Sequence, residues 1–285
     1  RYPVRGSFLR SGARARVAIS GPHDGGRSFF AVDATMLIRD RLAKEGGFLF
    51  RWRSYVPLAL LPLIAVALPD ERRVSAQMGP ELEHAIFYLA VVVSFAGLAI
   101  RWLTIAFVPP GTSGRNTLSQ RAEQLNTTGV YSLVRNPLYL GNFIAMLGVL
   151  ICVKVWWVIA IFALCYWLYI ERVIAVEEAF LEAKFGDAYR DWVSRVPVFV
   201  PNFANWVPPA GAFSMPFLLR REYNGLLAIG GSFFALELIM DVFVQHEPFM
   251  EWLVEDMAWA VLGATTLVLF LLLRFLKTQT RLLNT

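Results

Sequence analysis

Two short stretches of this 285-residue chain hold residues whose types and spacing could do chemistry. The first runs Arg135-Asn136-Pro137-Leu138-Tyr139-Leu140-Gly141. Pro137 suits the first turn of a helix, where its missing N–H would have no intrahelical partner. Arg135 and Asn136 then stand at a helix N-terminus, where free N–H groups and the positive end of the dipole favour an anionic group. Gly141 lets another backbone or a ligand approach closely. The competing interpretation is an interfacial anchor, an arginine and a belt tyrosine at a membrane surface. The second stretch is Glu171-Arg172 followed by Glu177-Glu178. Glu171 and Glu178 lie two turns apart on one helix face. Ionisable groups at membrane depth are costly and usually face a cavity or a partner. Adjacent carboxylates suit a sulfonium, an ammonium or a ribose hydroxyl; otherwise they are a solvated helix end. Arg172 and Arg135 are the guanidinium groups placed to grip a carboxylate or phosphate in bidentate fashion. Further on, Glu237 and Asp241 are four apart on one helix face, which suits a satisfied intramembrane pair better than a polar substrate path.

The elements that must position these residues are apolar. Hydrophobic residues make up 56% of the chain and the mean hydropathy is +0.50, above the roughly 45–50% of a soluble domain. Six apolar segments stand at roughly 55–68, 84–108, 138–153, 155–176, 225–244 and 257–276. The expected fold is therefore all-α, a polytopic helical membrane protein with about six transmembrane segments. Pro57 and Pro62 interrupt the first segment, which leaves a re-entrant course open for it. Only Lys154 separates the third and fourth, which predicts a tight antiparallel helical pair. Residues 1–47 are rich in Arg and Gly and read as a basic, disordered arm. Two accounts of that arm stay open: residues upstream of a start at Met36, or an organellar transit peptide, which Asp24 and Asp33 disfavour. The expected organisation is this arm, a membrane core at 48–201, and a loop with a C-terminal transmembrane helix pair at 202–285.

The net charge of +5 is a matter of topology rather than nucleic-acid binding, because the basic residues flank apolar segments. With a cytosolic N-terminus and six crossings, cytosolic stretches hold 22 of the 27 Lys and Arg residues and the opposite stretches hold 3. The positive-inside rule thus predicts that loops 109–137 and 177–224, which carry the polar stretches, face the cytosol. Cys152 and Cys165 both fall in apolar runs, and His23, His84 and His246 are scattered, so neither a disulfide framework nor a metal site is expected. The glycine-rich strand–loop–helix signature of soluble nucleotide-binding enzymes is absent.

Read in order, Arg135-Asn136-Pro137-x-Tyr139-x-Gly141, a helical hairpin, Glu177-Glu178, Phe185-Gly186-x-x-Tyr189 and Val196-Pro197-x-Phe199-x-Pro201 resemble the isoprenylcysteine carboxyl methyltransferase and phospholipid methyltransferase superfamily. The resemblance runs from about Arg101 to Pro201. It implies an integral membrane enzyme that uses S-adenosylmethionine on the cytosolic face to methylate a membrane lipid or lipidated substrate. The carry-over for the cofactor falls on Tyr131, Asn136, Pro137, Leu138 and Tyr139, with Glu177 as its acidic partner. Gly129, Gly141 and Glu178 belong to the same motifs, and Asn116, Glu123, Gln124, Leu125 and Asn126 join them by spacing. Two positions depart from the family pattern. Asn136 stands where the family has a histidine, and an amide cannot serve as a base. Val173 stands where the carboxyl methyltransferases place a substrate-gripping arginine, the nearest here being Arg172. Upstream, Gly46-Gly47-Phe48-Leu49-Phe50-Arg51-Trp52-Arg53-Ser54-Tyr55 and Thr112-Ser113-Gly114-Arg115-Asn116-Thr117 resemble a bacterial subgroup linked to methylation of the lipid A 1-phosphate. The resemblance therefore ranks a lipid phosphate first as acceptor and a prenylcysteine carboxylate second. A sterol-reductase-like oxidoreductase and a non-catalytic membrane scaffold are the readings from other classes.

Overall fold

The computed structural model describes residues 38–53, 55–109 and 122–280, and among these every regular element is a helix. In chain order the α-helices are α1 Ile38–Trp52, α2 Leu60–Ser75, α3 Pro80–Ala106, α4 Val130–Leu133, α5 Pro137–Cys152, α6 Trp156–Phe185, α7 Asp187–Val193, α8 Met215–Leu238, α9 Phe249–Glu255 and α10 Met257–Gln279. A π-helical stretch, Ile239–Val244, prolongs α8. Four of these are long and apolar enough to cross a membrane: α3 from Glu81, α6, α8 with its prolongation, and α10. Tyr88, Val92, Leu164, Trp167, Leu271 and Phe275 stand exposed on their outward faces, an apolar surface that hydrocarbon would cover and water would not tolerate. The chain is thus an integral membrane protein whose described residues form helices and no strand. Of the six expected segments, two fall short of that length: α5 is apolar but has 16 residues, about 24 Å against a hydrocarbon layer of about 30 Å. The other, α2, ends in Asp70, Glu71, Arg72 and Arg73.

Small residues set the closest helix contacts. A Cβ on Gly97 of α3 would lie 2.3 Å from the Ala145 nitrogen of α5, and one on Gly148 would lie 2.5 Å from the Ala90 carbonyl oxygen. Ser94 donates across the same interface to the Ala145 carbonyl at 2.9 Å. Between apolar helices in lipid, association rests on such close backbone approach and interhelical hydrogen bonds rather than on the hydrophobic effect. Gly230 of α8 meets Thr266 of α10 in the same way.

Lys154 makes the expected turn between α5 and α6 with φ 60°. Its ammonium pairs with Glu71 at 3.0 Å and with Glu83, tying the ends of α2 and α3 to that turn. Burial alone would lower the Lys154 pKa, but the hydrogen bonds and charges of Glu83 and Glu71 outweigh it and leave it raised. Glu237 and Asp241 have separate partners: Cys152 Sγ donates to Glu237 at 3.7 Å and the Gln245 amide donates to Asp241 at 2.8 Å.

The N-terminal arm differs from expectation. Residues 1–37 lie outside the described residues, but 38–47 belong to α1, which packs along α6. Gly46 lies where a Cβ would come within 2.2 Å of the Arg172 carbonyl oxygen, whereas Gly47 meets nothing within 4 Å. The glycine serves helix packing, a cause with no local trace.

Candidate functional site

The chain approaches α5 through a tight series of turns. Gly129 has φ +63°, a left-handed backbone that glycine accepts without strain, and its N–H donates to the Val207 carbonyl at 2.9 Å. A single helical turn, α4, follows, and Val134 is extended. The backbone N–H of Arg135 then donates to the Pro197 carbonyl at 2.9 Å, and the Asn136 side-chain amide donates to the Val198 carbonyl at 3.1 Å. Asn202 N–H donates to the Leu133 carbonyl at 2.9 Å, and the Trp192 indole donates to the Tyr131 carbonyl at 3.3 Å. Motifs about sixty residues apart are thereby laced into one layer beneath the N-terminus of α5. The amide at 136 has a task here that needs no proton transfer: it fastens the Val196–Pro201 stretch to the start of α5.

The two polar stretches meet. Tyr139 O–H donates to Glu177 at 2.8 Å, and Arg135 Nη1 donates to Glu178 at 2.8 Å. Tyr166 O–H donates to the Tyr139 carbonyl at 2.7 Å and steadies that turn of α5. Helix α6 has 30 residues, about 45 Å, so one end projects beyond a hydrocarbon layer of about 30 Å. Glu177 and Glu178 lie toward its C-terminal end, opposite the Lys154 turn.

These groups border a cavity of about 1040 Å³, at the upper limit for small-molecule sites. One part is polar, lined by Asn126, Tyr131, Arg135, Asn136, Tyr139, Glu177 and Glu178; the other is apolar, lined by Leu60, Ile64 and Leu68 of α2, Val149 and Leu150 of α5, and Ile229, Leu236 and Ile239 from α8 and its prolongation. Gln124, Leu125, Pro137 and Leu138 also line it. Burial, and then the charge of Glu177, push the Tyr131 phenol up from its ordinary value; burial, and then Glu178, do the same for Tyr189. Both tyrosines are therefore neutral hydrogen-bonding groups near pH 7.

Other expected residues stand elsewhere. Glu123 is exposed, and Glu123, Gly129, Gly141 and Arg172 are not among the residues lining the cavity. Gly141 is a packing glycine, since a Cβ there would lie 2.6 Å from Arg101 Cγ and 2.7 Å from the Gly97 carbonyl oxygen of α3. Arg172 Nη1 donates to the Leu168 carbonyl of its own helix at 2.6 Å. Asn116 lies outside the described residues.

Several cavity residues escaped the sequence reading. Arg101 donates through Nε and Nη2 to both oxygens of Glu222, at 2.8 and 2.7 Å, and through Nη1 to Asn142 at 2.6 Å and the Leu138 carbonyl at 3.4 Å. Glu222 is 2% exposed, so this fork joins α3, α5 and α8 out of water. A lone arginine inside the long apolar run of α3 was the available signal. Arg53 stands with Nη1 3.6 Å from Glu177 and its guanidinium 3.9 Å over the Phe50 ring. Its position beside a short apolar segment reads equally well as snorkelling.

Comparison with known proteins agrees with this architecture. The phospholipid methyltransferase family model matches residues 86–188. The chain is 32% identical over 99 residues to a protein-S-isoprenylcysteine O-methyltransferase of Schizosaccharomyces pombe, covering 34% of this chain and 42% of that protein. It is 31% identical over 135 residues to protein-S-isoprenylcysteine O-methyltransferase B of Arabidopsis thaliana, covering 40% of this chain and 68% of that protein. It is also 33% identical over 168 residues to the nickel-cobalt-cadmium resistance protein NccN of Alcaligenes xylosoxydans xylosoxydans, covering 52% of this chain and 75% of that protein. The chain thus spans less than half of the first relative and about two thirds of the second. No solved structure matches it.

Proposed function

Since the chain belongs to the superfamily of phospholipid methyltransferases and isoprenylcysteine O-methyltransferases, we propose that it methylates an anionic oxygen of a lipid or lipid-modified substrate, with S-adenosylmethionine as donor and a lipid phosphate as the favoured acceptor. The observation that carries this reading is the meeting of Tyr139 with Glu177 and of Arg135 with Glu178 at the polar part of a cavity that continues between membrane helices. The donor set fits the cofactor: a carboxylate for a sulfonium or ribose, the amide of Asn126, neutral phenols, and apolar walls from Leu138 and Leu125. Glu123, and Asn116 outside the described residues, contribute to the cofactor from beyond these groups in the same proposal.

Held by Tyr131, Asn136, Tyr139 and Glu177, S-adenosylmethionine would supply an electrophilic methyl group to the acceptor oxygen, a C–O bond replacing the C–S bond whose electron pair would stay on sulfur. A phosphate or carboxylate oxygen is already deprotonated at neutral pH, so no residue need act as base, in keeping with an amide at Asn136. The chain's own residues act by placement and exclusion of water, an effect of about 7–11 kcal/mol in aligned intramolecular reactions. Glu177 and Glu178 favour positive charge in the polar part; the guanidiniums beside them favour the acceptor anion. With 22 of 27 basic residues assigned to one side of the membrane, this site opens to the cytosol in the proposed topology.

A second reading, a prenylcysteine carboxylate as acceptor, is favoured by the names of the yeast and plant relatives. One experiment addresses both. The purified protein is titrated calorimetrically with S-adenosylhomocysteine, then incubated with labelled S-adenosylmethionine and either dioleoyl phosphatidic acid or N-acetyl-S-farnesylcysteine. The favoured reading expects saturable binding and methyl transfer to the phosphatidic acid. Transfer to the farnesylcysteine alone selects the second reading, and a protein that binds no S-adenosylhomocysteine is not a methyltransferase.

A further inference from the structure

Resting on that reading, we infer that Arg53 is the seat of the acceptor's anionic group, and that the acceptor's hydrocarbon chain runs from it along α2. Arg53 follows directly after α1, outside the stretch matched by the family model and distant in sequence from every motif of the site. Yet its side chain is 15% exposed, lines the cavity, and stands 3.6 Å from the Glu177 carboxylate. That separation exceeds a hydrogen bond, so the contact is an attraction of opposite charges across a gap.

The other arginines are placed for different work. Arg101 is committed to Glu222, Asn142 and Leu138. Arg135 is hydrogen-bonded to Glu178. Arg172 lies off the cavity and bonds back to Leu168. Arg221 of α8 lines the cavity and stands over the Phe217 ring of the same helix at 5.3 Å. Arg53 alone of these is ion-paired with Glu177, the carboxylate proposed to face the donor's positive charge. An oxyanion held by Arg53 would therefore stand beside that carboxylate. The Phe50 ring fixes the plane of the guanidinium from one side, and the close approach of Gly46 to Arg172 fixes α1 on α6.

The apolar wall begins a few residues beyond. Leu60, Leu61, Ile64, Ala65 and Leu68 of α2 line the same cavity. The eight helical steps from Leu60 to Leu68 give about 12 Å of wall, enough for the first part of an acyl or prenyl chain whose headgroup rests at Arg53. A planar guanidinium recognises phosphate and carboxylate through paired N–H bonds, so a lysine would keep the charge and lose the fork.

The test uses full-length protein in detergent and two probes that differ in the anion, dioleoyl phosphatidic acid and dioleoylglycerol. Native mass spectrometry measures their binding to the wild type and to Arg53→Gln, Arg53→Lys and Arg172→Gln, with S-adenosylhomocysteine affinity measured calorimetrically on each. The expected result is a wild-type preference for phosphatidic acid that falls by about tenfold in Arg53→Gln and by about threefold in Arg53→Lys, with cofactor affinity changed by much less. Arg172→Gln should retain the preference. The inference is overturned if the wild type shows no preference, if Arg53→Gln and Arg53→Lys both keep it, or if Arg172→Gln loses it instead. It is equally overturned if Arg53→Gln loses cofactor binding and keeps the lipid preference, which would make Arg53 a support for Glu177. An Arg53-dependent preference in a protein that binds no S-adenosylhomocysteine would uphold the anion seat and sink the methyltransferase reading, so the two fail separately.

Discussion

Tyr139 and Glu177 meet through one hydrogen bond of 2.8 Å, so substitutions at either residue report on the same contact. A hydrogen bond to a charged partner is worth about 1.5–3 kcal/mol, which makes about tenfold or more in affinity. Glu177→Gln is expected to weaken S-adenosylhomocysteine binding by at least that factor, and Tyr139→Phe by a smaller one. Glu237→Gln, whose carboxylate meets Cys152 instead, should leave the affinity within about twofold; calorimetric titration of the three proteins decides, and equal affinities would refute the role given to Glu177. The pH profile belongs to this scale as well. The pKa values of Tyr131 and Tyr189 are raised, so the neutral phenols persist to higher pH than free tyrosine, and neither should contribute a falling limb below about pH 10. With a phosphate monoester acceptor, whose second pKa is about 6, turnover should climb through that pH and then stay level. A decline between about pH 8 and 9 would show that an ionisation absent from this scheme controls the reaction.

Neighbouring glycines in α1 give a test at the scale of an element. Gly46 abuts the Arg172 backbone, with an added Cβ 2.2 Å from a carbonyl oxygen that cannot yield without moving α6, whereas Gly47 faces open space. Gly46→Ala should therefore destabilise by about 1–3 kcal/mol through overpacking. Gly47→Ala should stabilise by about 0.5–1 kcal/mol, since alanine loses less conformational freedom in a helix. Thermal unfolding in detergent should move in opposite directions for the two variants, and equal shifts would mean that α1 does not lie against α6. The same reasoning explains why this helix was hidden in the sequence. Two consecutive glycines lower local helix propensity, and only the neighbour that demands one of them reveals why it is there.

The whole molecule is held together at the site by a fork from α3 to α8. Arg101 and Glu222 are 121 residues apart, and Glu222 lies beyond the residues matched by the family model. Removing one member leaves the other charged and largely buried, at a cost of up to about 3–5 kcal/mol, whereas replacing both by apolar residues of similar size costs far less. Glu222→Met should thus lower the unfolding temperature more than the Arg101→Met, Glu222→Met double variant does. If the double variant were the less stable, the pair would be a net source of stability rather than a coupling. The proposed topology is tested on the same scale. In a protein lacking its native cysteines, Arg190→Cys should react with an impermeant maleimide from the cytosolic side and Glu251→Cys from the opposite side. Labelling of position 190 from outside would remove the proposed cofactor site from the cytosol.

Local pattern was enough to determine the fold class, the apolar segments that became α3, α5, α6, α8 and α10, the helix start at Pro137 and the turn at Lys154. Each depends on residues within a few positions of one another, through hydropathy, proline geometry or chain reversal. The motif residues were also visible as types in order, and Asn126, Tyr131, Asn136, Tyr139 and Glu177 border one cavity. Tertiary structure decided what each contributes. It turned Gly141 to helix packing and bonded Arg172 back to its own helix. It also gave the Asn136 amide a carbonyl partner sixty-two residues on. Arg53, Arg101 and Glu222 became cavity residues only through helix packing, because a side chain's neighbours across a bundle depend on how distant segments cross, and no spacing along the chain encodes that.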